Sequence, residues 1–270
     1  MRFLLILFLF PFGVNAQFFH KETQLVYGIN IGTHIASDTS SFLHNGYNNT
    51  NFNISSILFN SQNNAHIYLN ETLGLGWELQ NVPSVMKYRL GVEIGIHLGI
   101  QNQNIKYYLD YNFAELKAVG EFNVVQPINS TNMIEKDNVL VSVIGEERRS
   151  YLNIGLISNI VDEKEYHLGF PIFLQINQIK FKSNYMLIDN QKHNIPNPNL
   201  IQTNNSPNNN NSGGIGIGLG SGIVGTASLT ENINFSIGYH LQYSTLKPNK
   251  EIKLKGIHHS IFARLIWNKN

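Results

Sequence analysis

Cysteine is absent from the 270 residues. That excludes a disulfide framework, a thiol nucleophile and a Cys-ligated metal site. Charge is scarce: Asp, Glu, Lys and Arg make up 14% of the chain, against about 25% in ordinary globular domains. Neither sign is in excess. There are 19 basic and 18 acidic side chains, and loss of a leader containing Arg2 leaves 19 − 1 = 18 against 18. A neutral chain lacks the footprint of a nucleic-acid binder or of a protein drawn to anionic surfaces. No run of 18 apolar residues occurs anywhere, so a transmembrane helix is excluded.

What is present is apolar, aromatic and glycine-rich: 42% hydrophobic, 11% aromatic, 22 glycines. A length of 270 suits one or two soluble domains or a single β-barrel. Residues 1–16, MRFLLILFLFPFGVNA, place Arg2 before an apolar stretch from Phe3 to Val14. Val14 and Ala16 then supply small residues at the −3 and −1 positions. This reads as a secretory signal peptide cleaved before Gln17, rather than as an N-terminal anchor. No cysteine follows, so a lipoprotein is excluded.

Helical periodicity is scarce and alternation is everywhere. From Met86 to Gln101 every even position is apolar and every odd one is polar or glycine. Period two puts successive side chains on opposite faces of a strand. Soluble strands run to about 5–6 residues, whereas membrane-crossing strands need about 9–11; here the pattern lasts 16. Similar alternation marks Leu25–Ile35, Ile105–Phe113, Tyr151–Leu156, Tyr166–Ile176, Gly214–Gly222, Ile233–Tyr243 and Ile257–Trp267. That predicts eight strands.

The connections support the count. Asn102–Asn104, Val161–Glu165 and Leu229–Asn232 are short, whereas 36–85, 126–138, 180–213 and 247–256 are long. Short turns at one end and long loops at the other are the habit of an outer-membrane barrel. The third long loop contains an Asn-rich stretch, 204–212, that cannot pack. Within the first, Ala65–Leu79 also alternates, through Ile67, Leu69, Leu73, Leu75, Trp77 and Leu79. It is expected to be a hairpin above the membrane; the alternative makes it two more wall strands and the barrel ten-stranded. Glu71 on its apolar face favours the hairpin, because a lipid-facing charge near the midplane costs up to a few kcal/mol.

The fold expected is therefore all-β: residues 1–16 a signal peptide, residues 17–270 an antiparallel transmembrane β-barrel. Alternation alone does not say which face is inside, and a soluble lipocalin-like barrel has its apolar face inward. Strand length, low charge and a polar face rich in glycine favour a polar lumen. Arg89, Glu93, Lys106, Asp110, Arg149 and Arg264 fall on that phase and are expected to plug it with ion pairs. Glu146-Glu147-Arg148-Arg149 reads as a solvated or rim charge cluster.

Other motifs carry little chemistry. Gly220-Ser221-Gly222-Ile223-Val224-Gly225 matches GxGxxG, but no helix follows and no acid sits about 20 residues on, so no nucleotide is expected. The glycine face there suits crowding or curvature. Sequons such as Asn53-Ile54-Ser55 are explained by abundant Asn. His97, His167, His240 and His258 share the polar phase, yet nothing shows three ligands converging on a metal. His258 and Ser260 with Glu251 have the residue types of an outer-membrane lipid A deacylase, with His as base and Ser as nucleophile. A lipid hydrolase needs access from lipid, and this phase points inward, so the enzyme is a weak alternative.

Four stretches together resemble the PorT-like family of small outer-membrane barrels of Bacteroidetes: GVEIGIHLGIQNQNIKYYLDYNF, RSYLNIGLIS, GGIGIGLGSGIVGTASLTENINFSIGYHLQYS and the closing IFARLIWN. Gly155 stands where that family often has proline, and Trp267 is a slightly recessed terminal aromatic. The resemblance implies a Gram-negative outer-membrane location. The expected function is non-enzymatic: a structural or surface barrel, or an accessory to an envelope or secretion complex, with a narrow pore or ligand-binding barrel as a further alternative. Expected partners are outer-membrane lipid and envelope proteins, with no nucleic acid, cofactor or metal.

Overall fold

The computed structural model describes residues 24–45, 53–102, 105–126, 138–163, 165–195, 212–248 and 252–269. The predicted signal peptide, Glu251 and most of the Asn-rich stretch lie outside these.

In chain order the strands are β1 (Gln24–Ile35), β2 (Glu78–Gln80), β3 (Lys87–Tyr88), β4 (Gly91–Asn102), β5 (Ile105–Val125), β6 (Asn138–Asp162), β7 (Tyr166–Ile188), β8 (Gln191–Asn194), β9 (Ser212–Ser228), β10 (Ile233–Leu246) and β11 (Leu254–Lys269). Eight of them pair antiparallel in the order β5-β4-β1-β11-β10-β9-β7-β6, and β6 pairs back onto β5. The ring is closed, so no wall strand has a free edge. The fold is an eight-stranded antiparallel transmembrane barrel; the short strands β2, β3 and β8 pair onto the outer ends of β5 and β7.

The apolar phase faces out. Ile31 is 63% exposed, Leu174 63% and Ile217 66%, whereas Asp110 and His97 on the opposite phase are fully buried. The belt runs nine residues on β5, Ile105 to Phe113, and eleven on β7, Tyr166 to Ile176. Both match the about 9–11 residues that a tilted strand needs to cross a bilayer. Near the short-turn end Tyr27 stacks on Trp267, ring centroids 5.8 Å apart. Outward-facing His259 is partnered by the Tyr239 hydroxyl at 2.6 Å.

Strands β5, β6 and β7 are far longer than their predicted cores, and the added length stands above the belt. Alternation continues, but the apolar phase changes sides. On β5, Tyr107, Tyr111 and Phe113 face out, whereas Leu116, Ala118, Phe122 and Val124 face in. Outside the belt the surroundings are water, so the apolar face turns towards a core.

That core is filled by helices, where the sequence pattern predicts a hairpin. Residues 65–79 are not two strands: α1 (Ile54–Leu58) and α2 (Asn64–Leu73) pack on the raised sheet. Ala65, Leu69 and Leu73 are fully buried at spacing four, the helical repeat. Leu69 and Leu73 fit spacing two as well, which is how the pattern misleads. Asn53 and Asn63 cap the two helices, accepting from Ser56 N at 2.7 Å and Ala65 N at 2.9 Å. Gly74, at φ +80°, ends α2. Trp77 donates from Nε1 to Asn70 Oδ1 at 2.8 Å.

The Met86–Gln101 strand is also broken. Tyr88 pairs with Ala118, but Val92 pairs with Glu115, so β3–β4 carries one residue more than β5 across this step. Such a bulge swaps the faces. Met86 and Tyr88 point inward above it. Arg89 becomes exposed on the outside and does not join the lumen.

Candidate functional site

Buried polar side chains gather inside the barrel at two levels. The lower is a buried ion-pair network. Arg264 on β11 donates from Nη2 to Asp110 Oδ2 at 2.6 Å and from Nε to Asn30 Oδ1 at 2.6 Å. Asp110 Oδ1 lies 2.5 Å from His97 Nδ1, and Asn30 donates to Asn112 Oδ1 at 3.0 Å. The strands put these groups together: Asn30 is the register partner of Arg264, and His97 of Asp110. Beside them Gln175 bridges to Gln242 and Asn153, and the Phe173 and Phe262 rings flank His240.

The upper level is formed by the chain itself. After β1 a 3₁₀ segment, Asp38–Asn45, crosses the long-loop mouth of the barrel. It starts against β11, where Ser37 N donates to His258 Nδ1 at 3.0 Å. It ends against β6 and β7. There His44 meets Glu147 Oε2 at 3.0 Å and Asn184 Oδ1 at 2.6 Å, and Leu43 packs on Ile179 and Phe181. Arg149 ties the segment down: its guanidinium donates to Glu147 Oε1 at 2.6 Å, to Ser40 Oγ at 2.7 Å and to Tyr88 Oη at 3.3 Å. Ser41 links the segment to the Met86 backbone in both directions.

Glu147 and Arg149 stand above the belt yet are buried. Burial opposes the charge on Glu147, but Arg149 beside it and the hydrogen bonds from His44 and Arg149 prevail, pulling its pKa from 4.5 down to about 2. A carboxylate with a depressed folded pKa stabilises the fold above its unfolded value and loses that contribution as pH falls through the folded one. The thermal midpoint is therefore expected to hold from pH 7 to about 4.5 and to fall from there towards pH 2. Glu147→Gln is expected to flatten this profile, which melts in detergent at a series of pH values would show.

The sequence-predicted residues divide. Glu93, Asp110, Arg149 and Arg264 are buried inside the barrel. Lys106 also faces in but stands lower. With Arg264, His167, Thr226 and Ser236 it lines a vestibule of about 440 Å³ at the short-turn end. Arg89 is outside, for the reason given above. Glu146-Glu147-Arg148-Arg149 is not one rim cluster: the strand splits it, with Glu147 and Arg149 inside, Glu146 and Arg148 outside.

His258 and Ser260 are both buried and make no hydrogen bond to each other. Ser260 Oγ instead meets His34 Nδ1 at 3.1 Å, and Glu93 approaches the same nitrogen at 3.7 Å. A relay needs acid and nucleophile on opposite ring nitrogens. The side chains also face the barrel interior, away from lipid. His97, His167, His240 and His258 do not converge: they pair respectively with Asp110, with Asp162, with two phenylalanines, and with Ser37 and Arg149. Among the described residues no three His, Asp or Glu side chains are placed to hold a metal.

No family model matches the chain, and no curated protein matches it. Among solved structures it is similar to neisserial surface protein A (NspA), at 8% identity over 90% of this chain and 96% of that one, with a TM-score of 0.42. It is also similar to Ail, the attachment invasion locus protein of Yersinia pestis, at 9% identity over 91% and 96%, with a TM-score of 0.29. The closed barrel rests on its own strand pairing.

The alternation does not single out His34, Asn30, Asn112 or Gln175, and it reads Glu147 as a rim charge although the side chain is fully buried. All lie on the polar phase of their strands, so the signal was present. Which of them meet depends on partners as much as 234 positions apart, as for Arg264 and Asn30.

Proposed function

We propose that this chain is a non-enzymatic, non-conducting outer-membrane barrel that displays a folded outer module to partner proteins of the cell envelope. The observation that carries this reading is the double closure: the segment 38–45 across the mouth, and the Asp110–Arg264 network beneath it. A lumen filled by fixed charges and a folded strap has no path for solutes, so the outer elements are left to do the work. Those elements form an ordered unit, with α1, α2 and the raised sheet sharing a core that includes Leu58, Leu69, Phe122 and Met186. The resemblance to the PorT-like barrels supports a role beside an envelope or secretion complex.

Planar-bilayer recording tests the closure. The wild-type protein is expected to stay silent. Because the two seals stand in series, opening one leaves the other. Conductance steps are expected only when Gly145→Val, which displaces the strap, is combined with Asp110→Ser and Arg264→Ser. Steps from the wild type would overturn the reading.

A further inference from the structure

Just above the apolar belt, on the outer face of β3, β5, β6 and β7, six cations gather: Lys87, Arg89, Lys117, Arg148, Lys180 and Lys182. The strand register makes them neighbours. Arg148 stands opposite Lys180 on one side and Glu115 on the other, Lys117 stands opposite Glu146, and the Arg89 backbone bonds to that of Lys117. Three carboxylates sit among them, Glu115, Glu146 and, beside Lys87, Glu121. Glu115 takes Lys182 at 2.6 Å and Arg148 at 2.5 Å, and Glu146 lies 4.0 Å from Lys117. The balance, six minus three, is three positive charges.

The level is specific. On β5 the belt ends at Phe113 and the first outward cation, Lys117, follows four positions on. On β7 the belt ends at Ile176 and Lys180 follows four positions on. At about 3.3 Å per residue along strands tilted by about 40°, these cations stand about 10–15 Å above the belt edge, and their flexible side chains, about 6 Å long, reach back towards the headgroup layer. The short-turn edge is different: Asp162, Glu163, Glu165 and Glu231 are exposed there. We propose that the Lys117–Arg148–Lys180–Lys182 face binds the phosphates of anionic lipid headgroups packed against the barrel wall.

Charge complementarity and continuity with the lipid-facing belt carry the assignment. Clustered Lys and Arg beside a membrane attract anionic lipid roughly in proportion to their number. The ion pairs to Glu115 and Glu146 are exposed and screened, so they yield readily to a phosphate. The inference rests on the membrane placement proposed above.

The test uses the full chain in phosphatidylcholine vesicles carrying a trace of spin-labelled phosphatidic acid or spin-labelled phosphatidylcholine. The fraction of immobilised label is compared between the two. Phosphatidic acid is expected to be preferred roughly three- to tenfold at low salt, with the preference falling towards one in molar salt. Lys117→Gln/Arg148→Gln/Lys180→Gln/Lys182→Gln is expected to remove most of it. Lys247→Gln/Lys253→Gln/Lys255→Gln, at the far side of the rim, is expected to keep it. Should the fourfold variant not fold, Lys180→Gln/Lys182→Gln is expected to give a smaller fall in the same direction. Equal association of both lipids with protein that floats with the vesicles overturns the proposal alone. An equal loss from the far-side variant overturns it too. Protein that does not float with the vesicles overturns the membrane placement and the proposal together.

Discussion

Asp110→Leu is expected to lower stability by about 3–5 kcal/mol, because it strands the buried Arg264 guanidinium without its carboxylate. It is the largest single effect we expect from the lumen. Asp110 is fully buried and holds Arg264 and His97 at once, so no solvent is at hand to take over either contact. The measure is the temperature at which the unboiled, compact gel form gives way to the unfolded one. Removing both partners behaves differently. Asp110→Leu/Arg264→Met replaces the pair with apolar side chains of similar size, and most of the loss is expected to return. A double variant as unstable as the single one would mean that the neighbouring Asn30 and Asn112, rather than the ion pair, set the stability of this level.

Gly145→Val is expected to expel the strap. A Cβ at Gly145 would overlap the His44 ring, with no room on the wall side because β6 is paired on both edges. Overpacking of this kind costs about 1–3 kcal/mol, which shifts an open–closed equilibrium roughly 5- to 150-fold. The chain has no cysteine, so one introduced thiol is a clean reporter. Ser40 is 1% exposed beneath Arg149. Ser40→Cys is expected to resist a membrane-impermeant maleimide on intact cells, and to label faster by that factor once Gly145→Val is added. Gly145 adjoins the outer core through its register partner Ala118, but the added side chain points at His44, so α1 and α2 are expected to stay protease-resistant. Unchanged labelling would mean that Arg149 and Leu43 hold the strap without His44.

Much of this architecture is written in alternation. A strand has period two whatever it packs against, so Ile94, Ile96 and Leu98 mark a wall strand before any partner is known. Eight such stretches, with short and long connections in turn, describe the barrel. Polarity of the alternate phase likewise marks Glu93, Asp110 and Arg264 as lumen residues. The pattern fails where the environment changes along one strand. β5 keeps its period while water replaces lipid at Glu115, and the apolar face changes sides. It fails again at Arg89, where one extra residue in the ladder turns over Arg89 and the side chains before it. It fails at Ala65–Leu79, because Leu69 and Leu73 satisfy period two and the helical repeat together.

By itself, then, the sequence determined the class: a chain without cysteine, short of charge, alternating over lengths that cross a bilayer. Those are local properties, set by each residue and its near neighbours. Only the tertiary structure decided that residues 38–45 fold back across the mouth, that Arg264 and Asp110 meet across 154 positions, and that helices fill the outer module. It also decided where charge gathers. Nineteen cations and eighteen carboxylates nearly cancel along the chain, yet strand register brings Lys117, Arg148, Lys180 and Lys182 together on one outer face. A sum over the chain carries no position, and electrostatic attraction depends on position.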